Sequence, residues 1–191
     1  MERRTFIMST AAAIGSAGFV IAGCTTTDSP ADNEARRREI ESGADGALSR
    51  LYGSSRGAKE LSQRAEAILV FPRVVSGGFI VGGEYGDGVL RTRGKSSGYY
   101  RLAGGSFGFL AGAQSQAVVM MFMTPGALQG FLKSSGWTAG VDATVSVAKM
   151  GATGEIDTNT AKQSIVGFAI TNAGLYGGLS LDGSKITRLD L

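Results

Sequence analysis

The apolar positions of this chain change period once, and the change divides it in two. Between residues 36 and 69 they recur at helical spacing. Ile40, Ala44, Ala47, Leu48 and Leu51 fall at offsets of 0, 4, 7, 8 and 11, one face of a helix that begins at Arg36. Arg36-Arg37-Arg38, Glu39, Glu41 and Arg50 form its polar side, and the apolar stripe reads as core-facing. Gly43 and Gly46 interrupt it, each costing about 1 kcal/mol against alanine. A second helix is expected over Ala58 to Leu69, with Leu61, Ala65, Ile68 and Leu69 on one face and Pro72 blocking its continuation.

After Pro72 the period becomes two. Val74 to Tyr85 reads as a strand with apolar or glycine residues on both faces, as in a strand covered on both sides. Gly86-Asp87-Gly88 is a hairpin signal leading into Val89 to Arg93, and residues 94–98 form a second turn before Tyr99 to Leu102. Further strands are expected at Ser106 to Gln114, Ala117 to Met123, Val141 to Val147, Ser164 to Ile170, Leu175 to Leu181 and Lys185 to Leu189. Thr124-Pro125, an N-cap followed by proline at N1, opens a short helix through Leu128 and Phe131. Helices segregated from strands make the class α+β: N-terminal helices packed on a strongly coiled, mainly antiparallel β-sheet curling toward a barrel or sandwich.

Composition sharpens this in one respect. Glycine accounts for 30 of 191 residues, about twice the usual share, without a collagen-like period. Glycines inside strands mark bulges, coiling or close backbone approach. Two phosphate-binding readings fail on spacing. Gly94-Lys95-Ser96 lacks the upstream glycine a P-loop needs, since Val89 occupies that position, and Gly82-Gly83 opens no helix.

The first 24 residues read as an export address. Arg3-Arg4 form a basic start, and Ala11 to Ala22 is a small-residue apolar run too short to span a bilayer. Ile21-Ala22-Gly23-Cys24 resembles the bacterial lipobox, which implies a signal peptide over residues 1–23 and acylation of Cys24. Arg3-Arg4-Thr5-Phe6-Ile7 resembles a twin-arginine motif, with Glu2 where Ser or Thr usually stands, so Sec and twin-arginine export both stay open. Thr25 to Ala35 is polar, contains Pro30, and reads with Cys24 as a flexible tether over residues 24–35. The expected location is the bacterial envelope, lipid-anchored, at the outer membrane facing the periplasm.

The chain has no histidine and a single cysteine. With Cys24 acylated, a disulfide, a thiol nucleophile, a Ser-His-Asp triad and a Cys/His metal centre are all excluded. Glu84, Asp87, Asp142, Glu155 and Asp157 are the remaining carboxylates weighed for hydrolysis or calcium, and they read as solvated turn residues. No enzymatic activity, cofactor or metal is expected. The net charge of +3 hides an asymmetry. From Arg36 to Arg101 twelve Lys/Arg face seven Asp/Glu, whereas the rest of the chain to Leu191 balances at five each. Arg73, Arg91, Arg93, Lys95 and Arg101 are the candidate residues for acidic headgroups of phospholipids or other anionic envelope lipids. Export argues against nucleic acid as a partner.

Several segments taken together resemble the SYLF lipid-binding domain. They are Ile68-Leu69-Val70-Phe71-Pro72, Gly77-Gly78-Phe79, Gly82-Gly83-Glu84-Tyr85-Gly86, Tyr100-Arg101-Leu102, Gly112-Ala113-Gln114-Ser115, Gly140-Val141-Asp142-Ala143 and Gly174 to Gly183. The resemblance runs from about Ile40 to Leu191 and assigns residues 36–191 to one domain. It implies a non-enzymatic module that binds acidic phospholipids. Actin bundling, known for some eukaryotic relatives, is not carried over to an exported chain without an SH3 domain. The alternative is an envelope scaffold that binds a protein partner, of unknown identity, rather than a headgroup.

Overall fold

The structure is a computed structural model and describes residues 29–78, 81–107, 114–148, 156–172, 174–176 and 180–191. The export address, Cys24 and Glu155 lie outside the described residues. Two helices open the fold, α1 (Pro30–Ser54) and α2 (Arg56–Arg64). Four long strands follow: β1 (Ala67–Gly78), β2 (Val81–Thr92), β3 (Lys95–Phe107) and β4 (Gln114–Phe122). After them come α3 (Pro125–Lys133), β5 (Trp137–Thr138), β6 (Ser146–Val147), α4 (Thr158–Ala161), β7 (Ile165–Thr171), β8 (Gly174–Tyr176) and β9 (Lys185–Leu189). The sheet order is β5-β9-β3-β2-β1-β4-β7-β6, with β8 on β7. All pairings are antiparallel except β6 with β7. The result is α+β, with helices packed on a curled sheet that forms a half-barrel.

Each face of the sheet has its own core. On one, Ile40, Ala44, Ala47, Leu48 and Leu51 of α1 pack with Leu61 of α2 against Val70, Val89, Val119 and Phe168. These are the five helix positions that the periodicity marked, and all are buried. On the other face α3 closes the half-barrel over Leu69, Phe71, Leu102 and Met120. Phe131 of α3 stacks at 4.9 Å from Tyr100, 5.0 Å from Phe122 and 5.8 Å from Trp137, spacings at which aromatic pairs attract beyond their buried area.

Helix α1 begins earlier than expected. Ser29 caps it, its hydroxyl accepting from the Asp32 N–H while Asp32 accepts from the Ser29 N–H, and Pro30 takes N1. Residues 30–35 are therefore helix rather than tether, because this proline sits where no N–H is needed. Pro72 misleads in the same way. Helix α2 stops at Arg64, and Ile68, Leu69 and Pro72 all belong to β1.

Proline in a central strand requires a break in the ladder, and β1 has one. Its register slips between Val70 and Arg73 against β2, and between Phe71 and Val74 against β4. Phe71 and Pro72 together oppose Gly88, so the strand bulges there. The bulge explains why Gly86-Asp87-Gly88 is not a turn but the middle of β2. A Cβ on Gly88 would strike the Val70 carbonyl and lie 2.5 Å from Phe71 Cδ1; one on Gly86 would lie 2.6 Å from the Arg73 carbonyl. The hairpin turn lies instead at Arg93-Gly94, both at positive φ (52° and 76°), as a two-residue primed turn requires.

Two further strands are shorter than their patterns implied. In the 141–147 segment only Ser146–Val147 forms a strand, and Ala143 makes an isolated bridge to Ala139; Gly140 to Asp142 turn, with the Asp142 carboxylate accepting from the Thr138 N–H at 2.6 Å. In the 175–181 segment the described strand is Gly174–Tyr176.

Candidate functional site

Helix α1 lies across β2 and β1 and reaches β7 and β8, so it has two flanks over the sheet. One flank is clamped. Arg91 of β2 donates to Glu41 Oε2 at 2.6 Å and to Asp45 Oδ1 at 2.5 Å. Glu41 also accepts from the Ser96 hydroxyl and, at 3.1 Å, from the Tyr99 hydroxyl. Burial by itself raises the Glu41 pKa, but the hydrogen bonds from Ser96, Arg91 and Tyr99 outweigh it and hold the carboxylate below its ordinary value. The Tyr99 phenol is pushed up, first by burial and then by the bond it gives Glu41.

The opposite flank is open. A groove of about 530 Å³ runs between α1 and the bulge of β1, within the size range of small-molecule sites. Gly43 and Gly46, which in the sequence look like defects of the helix, form part of its helical wall. A Cβ on Gly43 would come 2.8 Å from Pro72 Cβ, so the helix rests on the bulge at this glycine. Pro72, Val75 and Tyr85 give the groove an apolar side. Arg36, Arg50 and Arg73 face Glu39 and Asp87 around it, three positive charges to two negative. Asp87 is held by Arg36 and by Arg101 Nε at 2.9 Å, and the Arg101 guanidinium lies 4.9 Å from the centre of the Tyr85 ring. Arg101 brings the local balance to two positive charges.

The five cations expected to bind headgroups do not converge. Arg73 is exposed on the groove, and its side chain forms no hydrogen bond or ion pair among the described residues. Arg91 and Arg101 bind the chain's own carboxylates. Arg93 and Lys95 are exposed at the β2–β3 turn, six strand positions or roughly 20 Å along β2 from the Asp87–Arg73 pair. Sequence reasoning did not assign Arg36 and Arg50 to this site. They share a helical stripe with Gly43 and Gly46, and a glycine stripe flanked by arginines is the signal that could have found them.

The four described carboxylates among those weighed for catalysis have structural tasks. Glu84 accepts from the buried Ser184 hydroxyl, Asp87 joins the arginines, Asp142 caps the Thr138 turn and Asp157 caps α4. No group of three potential metal ligands occurs among the described residues. No described helix is long and apolar enough to cross a membrane.

Residues 103–190, from the second half of β3 through β9, match the model of the family described as "Ysc84: Las17-binding protein actin regulator". This segment belongs to the SYLF family. SYLF domains are lipid- or actin-related binding domains. The matched segment supplies β4, β7 and β9 of the sheet, while α1, β1 and β2, which wall the groove, precede it. No curated protein matches the chain.

Proposed function

We propose that this is a non-enzymatic envelope lipoprotein, anchored through Cys24, whose SYLF-containing domain binds acidic phospholipid headgroups at the α1–bulge groove. One observation carries the reading: the side chains of Arg50 and Arg73 stand exposed on an apolar-walled groove with no carboxylate partner among the described residues. Structural arginines are expected to resemble Arg91, closed on Glu41 and Asp45. Guanidinium groups left open beside apolar surface suit an anion with a hydrocarbon body. The family description, which names a protein partner, favours the scaffold as second reading.

The test is co-sedimentation of the full chain carrying Cys24→Ser, so that no acyl group masks the result, with phosphatidylglycerol-containing and with neutral vesicles. Retention on the anionic vesicles only, weakening with salt, is expected. Arg50→Glu with Arg73→Glu should lower it at least tenfold, whereas Arg93→Glu should change it less than threefold. Equal retention on neutral vesicles, or none on either, would leave the scaffold reading in its place.

A further inference from the structure

Beyond the flank of α1 no described element covers the sheet face. Register places Ser115, Val75, Tyr85 and Ala103 in one row across β4, β1, β2 and β3, with Gly77, Gly83 and Gly105 in a neighbouring row. All seven are exposed. Val75 (40% exposed) and Tyr85 (47%) are direct cross-strand partners, and both also line the groove. The face is thus continuous with the arginine-bearing groove, and its first row spans about 14 Å across four strands.

Nothing among the described residues explains the three glycines. Glycine weakens a strand, and a fold retains it where φ is positive or where a Cβ would collide. Gly86 and Gly88 meet the second condition. Gly77, Gly83 and Gly105 meet neither: none has positive φ. A Cβ on Gly77 or Gly105 would touch nothing within 4 Å among the described residues, and on Gly83 only the Gly104 carbonyl at 3.7 Å, an ordinary contact. What these positions provide, among the described residues, is a flat, side-chain-free floor beside an apolar pair.

We infer that this floor holds an acyl chain of an anionic lipid whose headgroup lies in the groove. The occupant follows from the two ends of the surface: guanidinium groups of Arg50 and Arg73 at one, Val75, Tyr85 and bare backbone at the other. A lipid so placed is withdrawn from the bilayer as a single molecule rather than touched at its headgroup alone. The inference rests on the headgroup reading for its charged end, and the tests separate the two.

Palmitoyl-lysophosphatidylglycerol, below its micelle concentration, is titrated calorimetrically into the Cys24→Ser protein, with glycerol 3-phosphate and palmitoyl-lysophosphatidylcholine as comparisons. Tight one-to-one binding of the first is expected, at least tenfold tighter than either comparison. Gly77→Leu with Gly105→Leu should weaken it tenfold or more while circular dichroism, melting and co-sedimentation with anionic vesicles stay unchanged. Gly77→Ala with Gly105→Ala, too small to fill the floor, should bind within threefold of the parent. Unchanged lysolipid binding in the leucine variant overturns the inference and leaves the headgroup reading standing. Glycine-dependent lysolipid binding without vesicle retention keeps the acyl site and removes the bilayer reading. A dimer that the leucines dissociate makes the occupant a second copy of the chain, and the inference falls.

Discussion

Gly88→Ala should destabilise the domain by about 3 kcal/mol, a large effect for a single methyl group on an extended strand. The added carbon meets the Val70 carbonyl and the Phe71 ring, both fixed by their places in the bulge. Neither can retreat easily. Phe71 is fully buried in the half-barrel core, and β1 is held from both sides by β2 and β4. Against a total stability of roughly 5–15 kcal/mol, such a loss lowers the urea midpoint visibly. Gly77→Ala, on the same sheet but in open space, is the control and should move the midpoint hardly at all. A Gly88→Ala protein within about 0.5 kcal/mol of the parent would show that the bulge yields.

Arg91→Met should cost about 2 kcal/mol and change the response to acid. The side chain of Arg91 is 16% exposed and that of Glu41 27%, so removing the guanidinium leaves a half-buried carboxylate without its cation. Full burial would make the loss larger; the 71% exposure of Asp45 reduces it. In the parent, Glu41 has a lowered pKa, so its contribution is complete above the ordinary glutamate value of 4.5 and is lost as pH falls through the folded-state value. Stability measured by urea titration should therefore decline below about pH 4.5. Glu41→Gln should be less stable at pH 7 and show a shallower decline on the acid side. An acid limb of equal steepness in both proteins would mean that other carboxylates set it.

How much of this was legible beforehand depended on how local the signal was. The buried face of α1 could be read because helix periodicity is internal to the helix, and Lys185 to Leu189 matched β9 because its alternation is equally local. Pro30 and Pro72 misled because a proline reports only what it cannot do. Whether it starts a helix or sits in a bulge depends on Ser29 and Asp32 in one case and on Gly88 in the other. Gly86-Asp87-Gly88 carried turn residues for a reason located on the adjacent strand. The basic surplus could be counted, but not which arginines remained open, because the partners of Arg91 lie 46 and 50 positions away. Arg73 was assigned to the site from the sequence; Arg50 shares a helical stripe with Gly43 and Gly46 that the sequence contains, but that this stripe faces the bulge of β1 needed the fold.

The bulge also obeys an odd–even rule. Leu69 and Phe71 point into the half-barrel, and so does Val74, so the inward set switches from odd to even numbers across Pro72. Remove Pro72 and the count closes: Phe71 pairs with Gly88 and Val118, Arg73 with Asp87 and Ala117, Val74 with Gly86 and Gln116, in register on both sides. Every later side chain of β1 keeps its face, Arg73 still opens on the groove, and Gly88 no longer opposes two residues. Deletion of Pro72 should thus act as an intragenic suppressor of Gly88→Ala, restoring most of the urea midpoint, while loosening the helix that rests on the proline. The extra residue serves the seating of α1, and the glycine opposite it is the adjustment the sheet makes in return.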